Sequence, residues 1–279
     1  MTAENAAAPG IAAPLARIAV TTLRVPNLRD LRPVILPVAT AAAVLLVWQI
    51  AVMALRVPAV ILPSPTEIAT ELWRGWPVLL YHALPTTLDS LMAFFTATAL
   101  GVGLAVAITY SPLLRDMLYP NLVLFQLIPK IALAPLFVVW LGISSESRVA
   151  FAAFVSFFPI VISAALGFAS TEATTLRLCR SLTASEWQSF VMVRFPFALP
   201  AIFSGMKIAI TLAIIGVIIG EFITAQAGLG YLIIFATARA DTEISMAAIV
   251  VLCICGLLLY GLVALGETIA NRFYSAESS

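Results

Sequence analysis

Residues 172–205 read EATTLRLCRSLTASEWQSFVMVRFPFALPAIFSG, a patterned stretch set between two long apolar runs. Within it Thr183, Ala184, Ser185 and Glu186 form T-x-x-E, a capping box whose hydroxyl and carboxylate satisfy reciprocal backbone donors, so a helix is expected to start there. Trp187, Phe190, Val191 and Arg194 then follow at spacings of three, four and seven on one side of that helix, and Pro196 and Pro200 are expected to stop it. Ala173 to Leu182 also suits a helix. The expected unit is therefore helix, break at Thr183, short helix, proline exit. Two uses fit it: an amphipathic helix lying on the inner leaflet, or a helix that docks in a groove of a cytosolic protein.

The surroundings of this loop set the protein class. The chain has 279 residues, 62% hydrophobic and 10% charged, with a mean hydropathy of +1.07. A soluble domain carries roughly 25% charged residues, so a soluble globular protein is excluded. Fifteen Lys and Arg against fourteen Asp and Glu leave a net charge of +1, too little field to hold nucleic acid. Three cysteines and one histidine cannot build a disulfide framework or a four-ligand zinc cluster.

A helix crosses the bilayer core with about 20 apolar residues, and six stretches qualify: 34–55, 85–109, 119–141, 149–170, 201–223 and 246–270. The third holds Pro129, Lys130 and Pro135 and is expected to be kinked, discontinuous or re-entrant. Residues 1–33, rich in Ala and Pro and carrying Arg17, Arg24, Arg29 and Arg32, read as a segment before a signal-anchor helix. The transmembrane domain then covers 34–270, with an outer segment at 56–84, an inner loop at 171–200 and a C-terminus at 271–279. Arg115, Arg177, Arg180, Arg194, Lys207 and Arg272 fall on the side of the termini with the four N-terminal arginines, and Arg56, Arg74, Arg148 and Arg239 on the other. The positive-inside rule puts both termini and the 171–200 loop of a multi-pass membrane protein in the cytoplasm.

In the outer segment Ser64 or Thr66 can cap a short helix with Ile68, Leu72 and Trp73 on one side and Glu67, Glu71 and Arg74 on the other. Asp89 reads as a helix-start charge. Lys130 either lines a solute pathway or snorkels to an interface, with Gln126 one turn before it. Glu221 and Gln226 either line the exit of the cavity or, for Glu221, brace the adjoining AGLGYL turn. His82 reads as a structural surface residue, and Cys253 and Cys255 as small core residues that cannot share a metal. Gly101, Gly103, Ala105, Gly216 and Gly220 permit close helix approach.

The loop resembles the EAA motif of membrane subunits of binding-protein-dependent ABC importers, E-A-A-x3-G-x9-I-x-L-P. Arg177, Leu178 and Cys179 occupy the E-A-A places, Thr183 the Gly place, and Val193, Phe195 and Pro196 the I, L and P places. FQLIPKIALAPLFVVWLGI (125–143), GEFITAQAGLGYLI (220–233) and ILPSPTEI (61–68) are similar to the nitrate, sulfonate and taurine branch. The resemblance implies an all-α polytopic membrane protein of the inner membrane, with about six transmembrane helices, a MetI-like importer permease fold and a cytoplasmic coupling helix.

It implies coupling to a separate ATPase through Thr183, Ala184, Ser185, Glu186, Trp187, Phe190, Val191, Arg194 and Pro196, with Gln126, Lys130, Glu221 and Gln226 as candidate pathway residues. The expected partners are two copies of a cytosolic ABC ATPase, a second permease copy and a periplasmic or lipid-anchored binding protein. The expected cargo is a small polar solute or anion of the nitrate, sulfonate, taurine or pyrimidine-precursor type. No G-x-x-x-x-G-K-[ST] occurs in the chain, so no cofactor is expected here, and ATP and Mg belong to the partner. The rival reading is an autonomous secondary transporter or channel, for which paired intramembrane acids or bases are sparse. A membrane enzyme would need a paired His and Asp constellation that the spans lack.

Overall fold

In the computed structural model, residues 32–224 and 226–275 are described, so the expectations for the N-terminal arginines before Arg32 and for the last four residues lie outside them. The chain divides into units at 1–47 and 48–279. Of the first, the described part is the opening of helix α1 (Arg32–Leu55).

In the second unit, α1 ends and the chain enters α2 (Pro65–Arg74) through a Ser64 capping box: the Ser64 hydroxyl accepts from the Glu67 N–H, and the Glu67 carboxylate accepts from the Ser64 N–H at 2.7 Å. Gln49, near the end of α1, accepts from the Thr66 N–H. Ile68 is buried and Leu72 half-buried, but Trp73 is 87% exposed. The expected apolar face of α2 is therefore narrower by one residue.

Helix α3 (Trp76–Tyr110) starts nine residues before the expected 85. Pro77 sits in its first turn, where no N–H is needed, and Pro85 is carried inside at the loss of one backbone bond. At 35 residues α3 is about 52 Å long by its rise per residue, well beyond the bilayer core.

The third span is a bent pair. Helix α4 (Pro112–Gln126) is followed by a 3₁₀ turn (Lys130–Leu133) and α5 (Ala134–Leu141), and the two arms meet at 94°. Pro129 before the bend and Pro135 in the first turn of α5 cannot donate to a continuing helix, which is why the break falls there. Its first arm begins seven residues before the expected 119.

Helix α6 (Ser145–Ala169) is the fourth span. After the loop, α9 (Phe195–Thr224) is the fifth and α11 (Thr242–Ser275) the sixth, with the shorter α10 (Leu229–Ala238) between them. Among the described residues five helices are long and apolar enough to cross a membrane, and the bent pair makes a sixth span when its two arms are counted as one. No strand occurs among the described residues.

The core is built where α6 packs on α9 and α3, with small residues setting the distance. A Cβ on Gly101 would meet Ile160, on Gly205 Ser163, on Gly216 the backbone of Ala152 and on Gly220 Arg148. Ala152, Ala209 and Ala213 are wholly buried among Phe94, Ile160 and Val217. Gly103 has open space around its missing Cβ and Cys253 is exposed, so the expected packing fails at those two positions, whereas Cys255 is half-buried against the Leu229 and Val251 cluster. Lys207 on α9 pairs with Glu267 on α11 at 2.5 Å.

Candidate functional site

The 171–200 loop opens with α7 (Ala173–Ser181), which closes on a left-handed residue: Thr183 has φ +59° at the position where the motif carries Gly. Both T183-x-x-E186 and S185-x-x-Q188 satisfy the capping-box pattern. Thr183 is taken by the turn that ends α7, its N–H bonding the Arg180 carbonyl, so the box forms two residues later. The Ser185 hydroxyl accepts from the Gln188 N–H at 3.1 Å, and the Gln188 side chain accepts from the Ser185 N–H at 2.8 Å. Glu186, freed from capping, faces Arg180 at 3.6 Å in an exposed pair.

Helix α8 (Glu186–Ser189) runs into a π-helical turn (Phe190–Arg194) and then into α9 without a break. The expected proline exit is overturned. Pro196 has no N–H, and in an ideal α-turn its ring would crowd the Met192 carbonyl; the wider turn, closed by the Phe195 N–H to Phe190 carbonyl bond, carries the chain past it. Pro200 lies inside α9. Trp187 and Phe190 share a face, with ring centres 5.9 Å apart, but the four expected residues differ in exposure. Trp187 is 72% exposed and Val191 is exposed, while Phe190 is half-buried against Tyr110, Phe168 and Phe195. Arg194 turns inward with its guanidinium 5.3 Å from the Tyr110 ring centre. Ala184 and Pro196 are half-buried.

At the other end of the molecule, buried polar groups meet under the turn that precedes α10. Glu221 is 2% exposed; one carboxylate oxygen accepts from the Thr86 hydroxyl and the other from the Gly230 N–H, each at 2.7 Å. The Thr86 oxygen accepts from the Leu229 N–H at 2.8 Å, and His82 Nδ1 accepts from the Gly228 N–H at 3.1 Å. Gly228 sits at φ +120°, and a Cβ there would land on the Glu221 carboxylate. Of the two roles open to Glu221, the brace is the one its bonds form. His82 is structural but buried, not on the surface.

Asp89 lies well inside α3, not at its start. It is buried and accepts from Arg148 at 3.0 and 3.1 Å and from the Ser145 hydroxyl at 2.6 Å. Sequence reasoning assigned Arg148 to a span flank and missed this pair. The available signal was that a charge inside a membrane span needs a partner, and Asp89 falls within the expected 85–109 span with no Lys or Arg near it in sequence.

Of the other candidate pathway residues, Gln126 and Lys130 lie apart from this cluster. Gln126 is exposed at the end of α4, and Lys130 opens the 3₁₀ turn with its ammonium 5.0 Å from the Phe158 ring centre. Gln226 is exposed and lines a cavity of about 560 Å³ with His82, Tyr231, Arg239 and Asp241. No hydrogen bond joins these four candidates to one another among the described residues. No group of three or more His, Cys, Asp or Glu is placed to hold a metal among the described residues.

Comparison with known proteins fits this architecture. Residues 97–268 match the family described as the binding-protein-dependent transport system inner membrane component. A probable ABC transporter permease protein of Haemophilus influenzae is 31% identical over 80% of this chain and 91% of its own length. The riboflavin transport permease RibX of Chloroflexus aurantiacus is 33% identical over 85% and 89%, and the taurine transport permease TauC of Escherichia coli 31% identical over 82% and 86%. A chain of the MetNI methionine ABC transporter in an inward-facing conformation superposes with a TM-score of 0.58 at 18% identity, over 74% of this chain and 97% of that one, which is a likeness of fold. The chain therefore belongs to the inner-membrane components of binding-protein-dependent transport systems, and it is a transmembrane permease subunit of an ATP-binding-cassette importer.

Proposed function

We propose that two copies of this chain enclose the translocation pathway and that each docks one cytosolic ATPase through the 183–196 stretch. The observation that carries this is the continuity of Glu186–Thr224 as one helical stretch with Trp187 exposed at its tip. An indole on a capped helical turn is a strong anchor for a partner's groove, since buried aromatics dominate interface energetics. A push on Trp187 travels through the π turn into α9, which packs on α6 and α3 and so moves the core.

In this reading both termini are cytoplasmic, and ATP and Mg bind the ATPase, not this chain. A periplasmic or lipid-anchored binding protein delivers the solute to the outer face. The cargo is a compact polar solute or small anion: the similar permeases are named for taurine, riboflavin, aliphatic sulfonates and formylaminopyrimidine. Lys130, beside Gln126 at the bend of the third span, supplies a cation suited to an anionic group, and Gln226 lines the opposite end. Glu221 acts indirectly by fixing the turn that carries Gln226.

Co-expression with a candidate ABC ATPase tests the docking. Trp187→Asp should abolish co-purification of the ATPase while the permease still inserts and melts within about 0.5 kcal/mol of wild type, as an exposed substitution does. Retained association with the charged variant refutes the docking, and ATP-independent uptake in reconstituted vesicles would favour a channel or secondary transporter.

A further inference from the structure

The end of α3, helix α4, the end of α6 and the 171–200 loop enclose a cavity of about 380 Å³ with no place in the transport scheme above. Arg115, Arg194, Tyr119, Thr109 and Thr171 supply its polar lining; no acidic residue lines it. Ile108, Leu166, Phe168 and Leu176 form the apolar remainder.

Two further facts bear on what it holds. Five buried side-chain polar atoms lack a hydrogen-bond partner among the described residues, and two of them, Thr171 Oγ1 and Arg194 Nε, belong to this lining. Thr171 is 8% exposed, so its hydroxyl has little water to turn to. Buried polar groups are nearly always satisfied, and two orphaned donors on residues that line one basic cavity mark a missing acceptor. The cations are also uncommitted. Arg194 stacks on Tyr110 without an ion pair, and Arg115 meets Asp116 only in an exposed contact at 3.4 Å.

We propose that this cavity is a binding site for a phosphate-type oxyanion. Guanidinium forks match tetrahedral oxyanions geometrically, and charge-assisted bonds are the strong ones. The anion would accept from Arg194 Nε, the Thr171 hydroxyl and Arg115. Because Arg194 is part of the turn joining α8 to α9, an occupied cavity ties the loop to α4 and α6 and stiffens the segment between Trp187 and the core. The same chemistry is offered by a dissolved phosphate and by the phosphodiester of an inner-leaflet lipid. The half-apolar lining accepts either.

The full chain, purified in detergent and stripped of lipid, tests this by thermal shift. The probes are inorganic phosphate and dioctanoyl phosphatidylglycerol, with chloride at equal ionic strength and dioctanoylglycerol as controls. We expect at least one probe to raise the melting temperature above its control, and Arg115→Gln and Thr171→Val each to weaken its half-maximal concentration about tenfold, one charge-assisted bond. A shift by phosphate, alone or with the lipid, assigns a site open to the dissolved ion; a shift by the lipid alone assigns the headgroup. No shift beyond the controls, or an equal response from wild type and both variants, overturns the site. Arg115 lies at the exposed rim and Thr171→Val keeps its shape, so the result does not depend on Arg194→Gln folding, nor on the ATPase docking proposed above.

Discussion

The cluster beneath the Gly228 turn and the 171–200 loop are both polar interruptions of an apolar chain, and they are built in opposite ways. Under the turn both carboxylate oxygens of Glu221, the Thr86 hydroxyl and His82 Nδ1 have backbone or hydroxyl partners, and Asp89 and Arg148 hold each other nearby. In the loop the aromatic Trp187 and the aliphatic Val191 stand exposed, and Arg194 and Thr171 keep unpartnered donors. A closed network spends most of its donors and acceptors on the protein itself and so holds backbone in place. An open one retains unused chemistry. Burial of charge alone does not separate the two; the fraction of satisfied donors and acceptors does.

If that contrast is right, substitutions in the closed cluster act on stability first. Asp89→Asn leaves the half-buried Arg148 without its Asp89 counter-charge, and breaking a buried pair from one side typically costs about 3–5 kcal/mol. The melting temperature of the purified permease should fall accordingly, and the double variant Asp89→Asn/Arg148→Gln should recover part of the loss. A strictly additive double variant would break the assignment of these two as a pair. Gly228→Ala comes next. It combines a strained positive φ with a Cβ on the Glu221 carboxylate, for an expected loss of about 3 kcal/mol, whereas Gly103→Ala, where the added Cβ meets open space, should leave the melting temperature within about 0.5 kcal/mol of wild type.

Much of the frame was legible because the governing signals are local. Apolar runs of span length, the double proline at 129 and 135 and the basic loop charges located six spans and the broken third one. Helix starts were misread where proline has two meanings. Pro85 looked like a boundary but lies within α3, and Pro77 looked like loop but sits in its first turn. The capping box was misplaced because two overlapping sequences satisfy one pattern, and only the left-handed turn at Thr183 decides between them. Pro196 and Pro200 looked like stops because sequence spacing does not announce a π turn. The Asp89–Arg148 pair and the Thr86–Glu221–Gly230 contacts join residues 59, 135 and 9 apart in the chain. Single-sequence periodicity carries no such information.

The loop makes the complementary prediction. Ser185→Ala removes the hydroxyl that accepts from the Gln188 N–H, and loss of an N-cap typically costs about 1 kcal/mol. Since α8 is one turn long, the effect should stay local. Amide exchange at residues 186–190 should speed up several-fold while the melting temperature barely moves. A large global loss would mean that the loop is part of the cooperative core, and the contrast with the turn would fail.

The smallest expected effect lies in a third polar site, outside the spans, where a satisfied carboxylate is exposed. The Ser64 backbone N–H and, next, its hydroxyl hold the Glu67 carboxyl below its ordinary value of 4.5. The folded value is the depressed one. The capping box therefore contributes its stabilisation at pH above 4.5 and loses it as the pH falls below that, through the folded value. Helix α2 should loosen in acid, read by exchange of its first amides or by the emission of exposed Trp73 in a variant lacking the other tryptophans. Glu67→Gln should flatten that pH dependence while keeping a capping-box residue. A satisfied carboxylate at the surface thus gives a measurable but minor pH response, and an unchanged profile in Glu67→Gln would assign the acid sensitivity of α2 to other groups.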